Sequence, residues 1–197
     1  MDPKTKYRLM LLSGASAISV PVISTAAISI AISKAEWFTW QDNWLSDLGV
    51  HSGSAAFFNS GLIISGILTV LVAIGMVLYL DDKPIFRMGK ATFLVAGVSL
   101  MLIGVFTEDY SPYHYIVSVM FFVLSMISML IVGIGYLIER KNVGAIFCIL
   151  GIGGGTMWAI PWPGSAGAIP EATSIAFIIP FSVIMGIKMI GHARTRS

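Results

Sequence analysis

Long apolar runs separated by short polar segments fill most of the chain. They predict six membrane-spanning helices, at residues 9–32, 55–80, 91–106, 112–138, 143–160 and 170–190. An α-helix needs about 20 residues to cross the hydrocarbon core of a bilayer, so the third run is short unless its helix begins near residue 85. No segment between the runs is long enough to fold separately. The pattern therefore predicts one all-α, polytopic membrane domain over residues 1–197.

The longest polar segment, residues 33–54, has a periodicity of its own. At 100° per residue, the tryptophans and leucines of residues 37–48 fall on one face of a helix, and the acids and amides fall on the other. This arrangement is typical of an amphipathic helix that lies in the membrane interface and is anchored there by tryptophan. We therefore predict an interfacial helix in the first loop.

Composition agrees with a membrane protein, because 56% of the residues are hydrophobic and 11% are charged, against roughly 25% charged in soluble domains. The single cysteine, Cys148, lies within an apolar run, which excludes an internal disulfide and a thiolate metal site. The net charge of +2 follows from topology and gives no reason to expect a nucleic-acid partner.

The basic residues predict the orientation of the protein. Six spans place both termini on one side, and all Lys and Arg residues except Lys34 fall on that side. They are Lys4, Lys6, Arg8, Lys83, Arg87, Lys90, Arg140, Lys141, Lys188, Arg194 and Arg196. By the positive-inside rule, the termini are cytoplasmic and the first, third and fifth loops face outward from the cell membrane.

The outward loops contain most of the unusual side chains. The segment 107–114 alone has two carboxylates and an imidazole within eight residues. The candidate catalytic residues are Asp47, His51, Glu108, Asp109, His114 and Glu171. The candidate ligand-binding residues are Trp40, Trp44, Tyr110, Tyr113 and Trp162.

A weak internal repeat relates these loops. Asp47 precedes His51, and Asp109 precedes His114, by four and five residues, each pair lying ahead of an apolar span. Glu171 stands at the corresponding place in the third outward loop. A repeated helix pair of this kind predicts that the three loops converge around one cavity.

The motif WLSDLG at residues 44–49, the loop FTEDYSPYH at residues 106–114 and the six-span layout resemble the prokaryotic membrane family catalogued as domain of unknown function 998. The resemblance covers most of the chain and implies a compact six-helix membrane protein. It implies no reaction, so no catalytic residue is transferred from it.

The outward residues allow several functions. Imidazole and carboxylate groups suit a divalent metal that activates water, and His51, His114 and Asp109 are the candidate ligands. Without metal, a histidine oriented by a carboxylate can act as a general base. The plainest interpretation is that the acids serve helix N-termini and the tryptophans form an interfacial belt.

We predict recognition of a lipid or small amphiphile in a polar, tryptophan-rimmed pocket on the outer face. The alternatives are a membrane-interface hydrolase or transferase, with or without metal, and a passive transporter. Coupled transport is disfavoured because the middles of the predicted spans contain no ionisable group. Membrane lipids are the expected partners, and the small-residue helix faces also suit a homo-oligomer.

Overall fold

The computed structural model describes residues 1–165 and 167–195, and these form an all-α structure. Its helices are α1 (Pro3–Ser33), α2 (Ala55–Tyr79), α3 (Pro84–Val105), α4 (Tyr113–Ile138), α5 (Val143–Thr156) and α6 (Ala168–Arg194). Two short 3₁₀ helices, Leu45–Gly49 and Glu108–Tyr110, lie in the loops. The predicted all-α class is confirmed. Arg196, one of the basic residues used to predict orientation, lies outside the described residues.

Five of the helices in the described part of the chain are long and apolar enough to cross a membrane. They are α1, α2, α3, α4 and α6, and α3 begins at Pro84, which resolves the shortness of the third apolar run. The remaining helix, α5, is apolar but has 14 residues. At 1.5 Å per residue it is about 21 Å long, which is less than the roughly 30 Å hydrocarbon core.

The helices pack in the order of the chain. Each of α1 to α4 contacts the next helix, and α6 contacts both α5 and α1, which closes the bundle. Neighbouring helices run antiparallel: Gly61 and Gly75 of α2, for example, lie against Ala27 and Ser13 of α1, in reverse order along the chain. The connections 34–54 and 106–112 and the described residues between α5 and α6 therefore lie together at the end opposite the termini, here called the far end. The connections 80–83 and 139–142 lie with the termini at the terminal end.

Small residues allow the helices to approach closely. A Cβ on Gly66 of α2 would lie 2.3 Å from the backbone nitrogen of Met101 in α3. One on Gly14 of α1 would lie 2.9 Å from the carbonyl oxygen of Gly186 in α6. Such contacts are how membrane helices gain packing energy without a hydrophobic driving force between them. The small-residue face of α1 is therefore used inside the bundle.

The terminal end is joined by charged side chains. Glu139, after α4, accepts hydrogen bonds from Lys141 at 2.7 Å and from Lys83, before α3, at 2.6 Å. These two ammonium groups lower the pKa of Glu139 to about 2. The two loops of the terminal end are thus linked through one carboxylate.

The predicted amphipathic helix over residues 37–48 is not formed. This segment folds into turns that end in the 3₁₀ helix Leu45–Gly49. Its polar side chains bond to the backbone: Thr39 N donates to Asn43 Oδ1 at 2.9 Å, and Trp44 N donates to Asp47 Oδ2 at 3.0 Å. Local bonds of this type compete with helical ones, and the apolar periodicity does not reveal them.

Candidate functional site

The first far-end loop connects the other two. Leu45 N, at the start of the 3₁₀ helix, donates to Glu171 Oε2 of α6 at 2.7 Å. The next residue, Ser46, donates through Oγ to Glu108 Oε1 in the second loop at 2.5 Å. Ala168 N also donates to the carbonyl oxygen of Asn43 at 3.0 Å. The three far-end loops therefore converge, as the internal repeat predicted.

A cavity of about 750 Å³ lies where the loops meet α4 and the end of α5. Trp44 and Trp158 stand on its walls. Helix α4 contributes most of the remaining lining through positions three or four residues apart, which fall on one helix face. The lining residues are Trp44, Ser46, Glu108, Ser111, His114, Tyr115, Ser118, Val119, Phe122, Val123, Met126, Gly155, Trp158 and Glu171.

The cavity is amphipathic along its length. Its polar part combines Ser46 and Glu108 of the loops with His114 and Ser118 of α4 and Glu171 of α6. Deeper along α4 the wall is apolar, formed by Val119, Phe122, Val123 and Met126. One ligand could therefore contact polar and apolar surfaces at once.

Glu108 is half-buried, and its environment disfavours the charged form. Burial is the largest cause, and the neighbouring Asp47 and Asp109 carboxylates add to it. The hydrogen bond from Ser46 acts in the opposite direction. The net result raises the pKa of Glu108 to about 7, so its carboxyl group can both accept and donate a proton near neutral pH.

Glu171 is the more deeply buried acid, with 7% of its surface exposed. It lies in the first turn of α6, where the helix dipole favours a carboxylate. Its bond from Leu45 N fixes the first loop against α6. Glu171 therefore has a structural role and also presents a carboxyl group to the cavity.

His114 is held in one orientation. It is 8% exposed, and its Nδ1 lies 2.6 Å from the carbonyl oxygen of Phe106, at the end of α3. Its Nε2 lies 3.4 Å from Ser118 Oγ, one turn along α4. Both residues line the cavity.

A second, smaller cavity of about 90 Å³ extends inward from the first. Its walls are mostly apolar and include Phe93 and Leu100 of α3 and Ile175 of α6. It shares Ser46, Ser118, Phe122 and Glu171 with the larger cavity. These four residues therefore form the junction between the far-end cavity and the interior of the bundle.

Four of the predicted site residues line the cavity, namely Trp44, Glu108, His114 and Glu171. Asp47 is not among the lining residues and accepts hydrogen bonds from Asn43 Nδ2 and Trp44 N. The other six do not line it, and they are Trp40, His51, Asp109, Tyr110, Tyr113 and Trp162.

Three of the residues outside the cavity have well-defined contacts elsewhere. His51 stacks on Trp37 with ring centroids 3.9 Å apart, and its Nδ1 donates to the carbonyl oxygen of Asp47. Trp162 donates from Nε1 to the carbonyl oxygen of Met157. The aromatic ring of Tyr113 packs against Phe106.

The predicted metal ligands are not brought together. Within residues 1–165 and 167–195, no group of three His, Cys, Asp or Glu side chains could hold a metal ion. His114 faces the cavity, whereas His51 packs on Trp37 in the first loop. The repeat suggested that the two histidines are equivalent, but they occupy different environments.

Several lining residues were not predicted from the sequence, chiefly Ser46, Tyr115, Ser118, Phe122 and Trp158. A signal for part of this set was present. Starting from His114, positions 115, 118, 119 and 122 follow helical spacing and fall on the same face of α4. Ser46 and Trp158 gave no comparable signal, because their positions depend on how the loops pack.

Comparison with known proteins gave one match. The family model described as Protein of unknown function (DUF998) matches residues 18–188, which is most of the chain. No curated protein and no solved structure matches.

Proposed function

We propose that this chain, which belongs to the DUF998 family, binds a lipid or small amphiphile in the far-end cavity. The chain is a multi-pass membrane protein. Its site, in this proposal, is open to the outer leaflet of the cell membrane.

The single observation that supports this function is the amphipathic cavity. Its volume of about 750 Å³ falls within the roughly 300–1,000 Å³ of small-molecule sites. An apolar chain would lie along Val119, Phe122 and Met126, and a polar head would lie among Glu108, His114 and Glu171. The smaller inner cavity gives the apolar chain further space within the bundle.

The charge of the lining favours particular head groups. Two carboxyl groups, Glu108 and Glu171, face the cavity, and no Lys or Arg is found among its described lining residues. An anionic head would meet acids without a compensating cation, which is unfavourable. A head rich in hydroxyl or amino donors would instead satisfy the carboxyl oxygens. We therefore propose a neutral polyol or amine-bearing amphiphile.

The proposed topology has six spans with cytoplasmic termini. In this arrangement α5 crosses the membrane together with the turn that follows it. The basic residues other than Lys34 lie inside, as the positive-inside rule requires. Replacing Asp42 by Cys in a Cys148→Ala background tests this topology. An impermeant thiol reagent added outside intact cells should label the variant. Labelling from the cytoplasmic side alone would contradict the orientation and the outer-leaflet site.

Binding is tested by identifying lipids that remain with the purified protein. Val119 and Met120 are neighbours on α4 and are similarly exposed, at 41% and 37%, but only Val119 lines the cavity. We expect native mass spectrometry to show a retained lipid in the wild type and in Met120→Trp. In Val119→Trp the new ring would occupy the cavity, and retention should fall at least about tenfold, equivalent to about 1.4 kcal/mol. Equal retention in both variants would refute binding at this site.

A further inference from the structure

The geometry points to Ser118 and His114 as a nucleophile and general base that cleave an ester bond in the bound amphiphile. This inference rests on the proposed binding function and assigns a reaction to the same cavity. It favours the hydrolase class among the alternatives that the sequence left open, and it requires no metal ligands.

The hydroxyl of Ser118 has an unusual partner for a serine in a helix. Helical serines commonly donate to the carbonyl oxygen four residues earlier. Those of this bundle that do so, at 2.5–3.0 Å, are Ser19, Ser24, Ser60 and Ser99. Ser118 instead directs its Oγ toward the imidazole of the residue four positions earlier.

The hydrogen bonding of His114 leaves the correct nitrogen free. The Phe106 carbonyl oxygen can only accept, so His114 Nδ1, which lies 2.6 Å from it, must be the nitrogen that carries hydrogen in the neutral ring. Nε2 then has a lone pair directed toward Ser118 Oγ at 3.4 Å. Hydrogen bonds between nucleophile and base are often this long before substrate binds. The Phe106 carbonyl orients the base, the role that a carboxylate has in many serine hydrolases.

The pair is also placed where an ester bond would lie. Ser118 is one of the residues that join the far-end cavity to the apolar inner cavity. The ester of an amphiphile lies between its head and its chain. With the head near Glu108 and Glu171 and the chain along Phe122, the ester would be next to Ser118 Oγ.

The reaction follows from this placement. Ser118 Oγ attacks the ester carbonyl carbon as its proton moves to His114 Nε2. The carbon–oxygen bond of the ester breaks, and Nε2 returns the proton to the leaving alkoxide, which departs as an alcohol. Water then attacks the acyl group on Ser118, giving its proton to Nε2. The acyl–Ser118 bond breaks, a carboxylic acid is released, and Ser118 recovers its proton. The net change is ester plus water to acid plus alcohol.

The test uses an alkyl fluorophosphonate, which reacts with activated serines by displacement of fluoride. We expect the purified wild-type protein to be labelled at Ser118, as located by peptide mass spectrometry. Ser118→Ala should not be labelled. Ser60→Ala is the matched control, because its exposed hydroxyl at the same end of the bundle is bonded to a backbone carbonyl. This variant should be labelled like the wild type.

A His114→Asn variant separates a catalytic from a structural role. The Asn amide can replace Nδ1 as donor to Phe106, but it offers no base to Ser118. Its melting temperature should stay close to that of the wild type while the labelling rate falls by at least about 100-fold, the usual contribution of a general base. If the wild type is not labelled, or if His114→Asn is labelled as fast as the wild type, Ser118 and His114 are not a nucleophile and its base. Lipid retention that still depends on Val119 would then leave the binding function intact.

Discussion

Glu108 gives the sharpest prediction from the electrostatics of the site. Folding raises its pKa from 4.5 to about 7, so the native state holds the proton more tightly than the unfolded state does. The contribution of this group to stability is therefore complete below about pH 4.5 and is lost as the pH rises through about 7. A Glu108→Gln variant imitates the protonated form at every pH, and its amide oxygen can still accept the bond from Ser46.

The size of the effect follows from the shift. One pKa unit corresponds to about 1.36 kcal/mol, so a fully sheltered group with this shift would contribute about 3 kcal/mol. Glu108 is only half-buried, and solvent screening reduces the expected value to about 1–2 kcal/mol. For a chain of this size that corresponds to about 2–8 °C in melting temperature.

The assay compares melting curves from tryptophan fluorescence in detergent at about pH 5 and pH 8. Other titrating groups are the same in the variant and the wild type, so their effects cancel in the difference between the two melting temperatures. We expect the melting temperature of Glu108→Gln, relative to that of the wild type, to be about 2–8 °C higher at about pH 8 than at about pH 5. Glu139→Gln is the control: the pKa of Glu139 is lowered to about 2, so its ionisation does not change over this interval. Its difference from wild type should be the same at both pH values.

A constant difference for Glu108→Gln would refute the reasoning. It would mean that Glu108 is ionised at both pH values in the folded protein. The cavity would then contain a permanently charged carboxylate at this position, and the proposed preference for donor-rich head groups would depend on that charge.

Three further predictions concern the packing of the far end and of the terminal end. Glu171→Ala leaves Leu45 N without an acceptor and should lower the stability by about 1–3 kcal/mol, whereas Glu171→Gln keeps an acceptor and should lower it less. Melting temperatures in detergent compare the two variants, and equal losses of stability would show that the hydrogen bond is unimportant. Gly167→Ala places a Cβ 1.9 Å from the Trp44 ring, so the ring must leave its place in the cavity wall. This should lower the stability by about 1–3 kcal/mol and shift the tryptophan emission. An unchanged emission spectrum would contradict this prediction. Gly191→Ala meets nothing within 4 Å and should stabilise α6 by about 0.5–1 kcal/mol, so a loss of melting temperature there would indicate a contact outside the bundle.

The helices were predictable because apolar runs of membrane length are a strong signal. The ends were less so: α1 begins at Pro3, several residues before its apolar run, because Asp2 caps it by accepting from Thr5 N at 3.2 Å. The sequence gives the cap residue type but not whether the cap forms. At residues 37–48 the apolar periodicity predicted a helix, and local side-chain hydrogen bonds hold the segment in turns instead.

The site was only partly predictable for a similar reason. The repeat correctly indicated that the far-end loops converge, and two of its residues, His114 and Glu171, line the cavity. Which histidine faces the cavity depends on contacts between distant parts of the chain. Leu45 and Glu171 are 126 positions apart, and their hydrogen bond helps to fix the first loop in place. Local spacing has no information about such a bond, so His51 and His114 looked equivalent.

The short helix α5 has a consequence for the surrounding bilayer. In the proposed six-span topology, the length of α5, about 21 Å, leaves a hydrophobic mismatch with the adjacent lipids, and a bilayer adapts to a short helix by becoming thinner beside it. Gly155 and Trp158, at the end of α5, also line the cavity. Lipid head groups next to α5 would therefore sink toward the cavity. On this side of the protein an amphiphile could enter sideways from the leaflet without first passing through water.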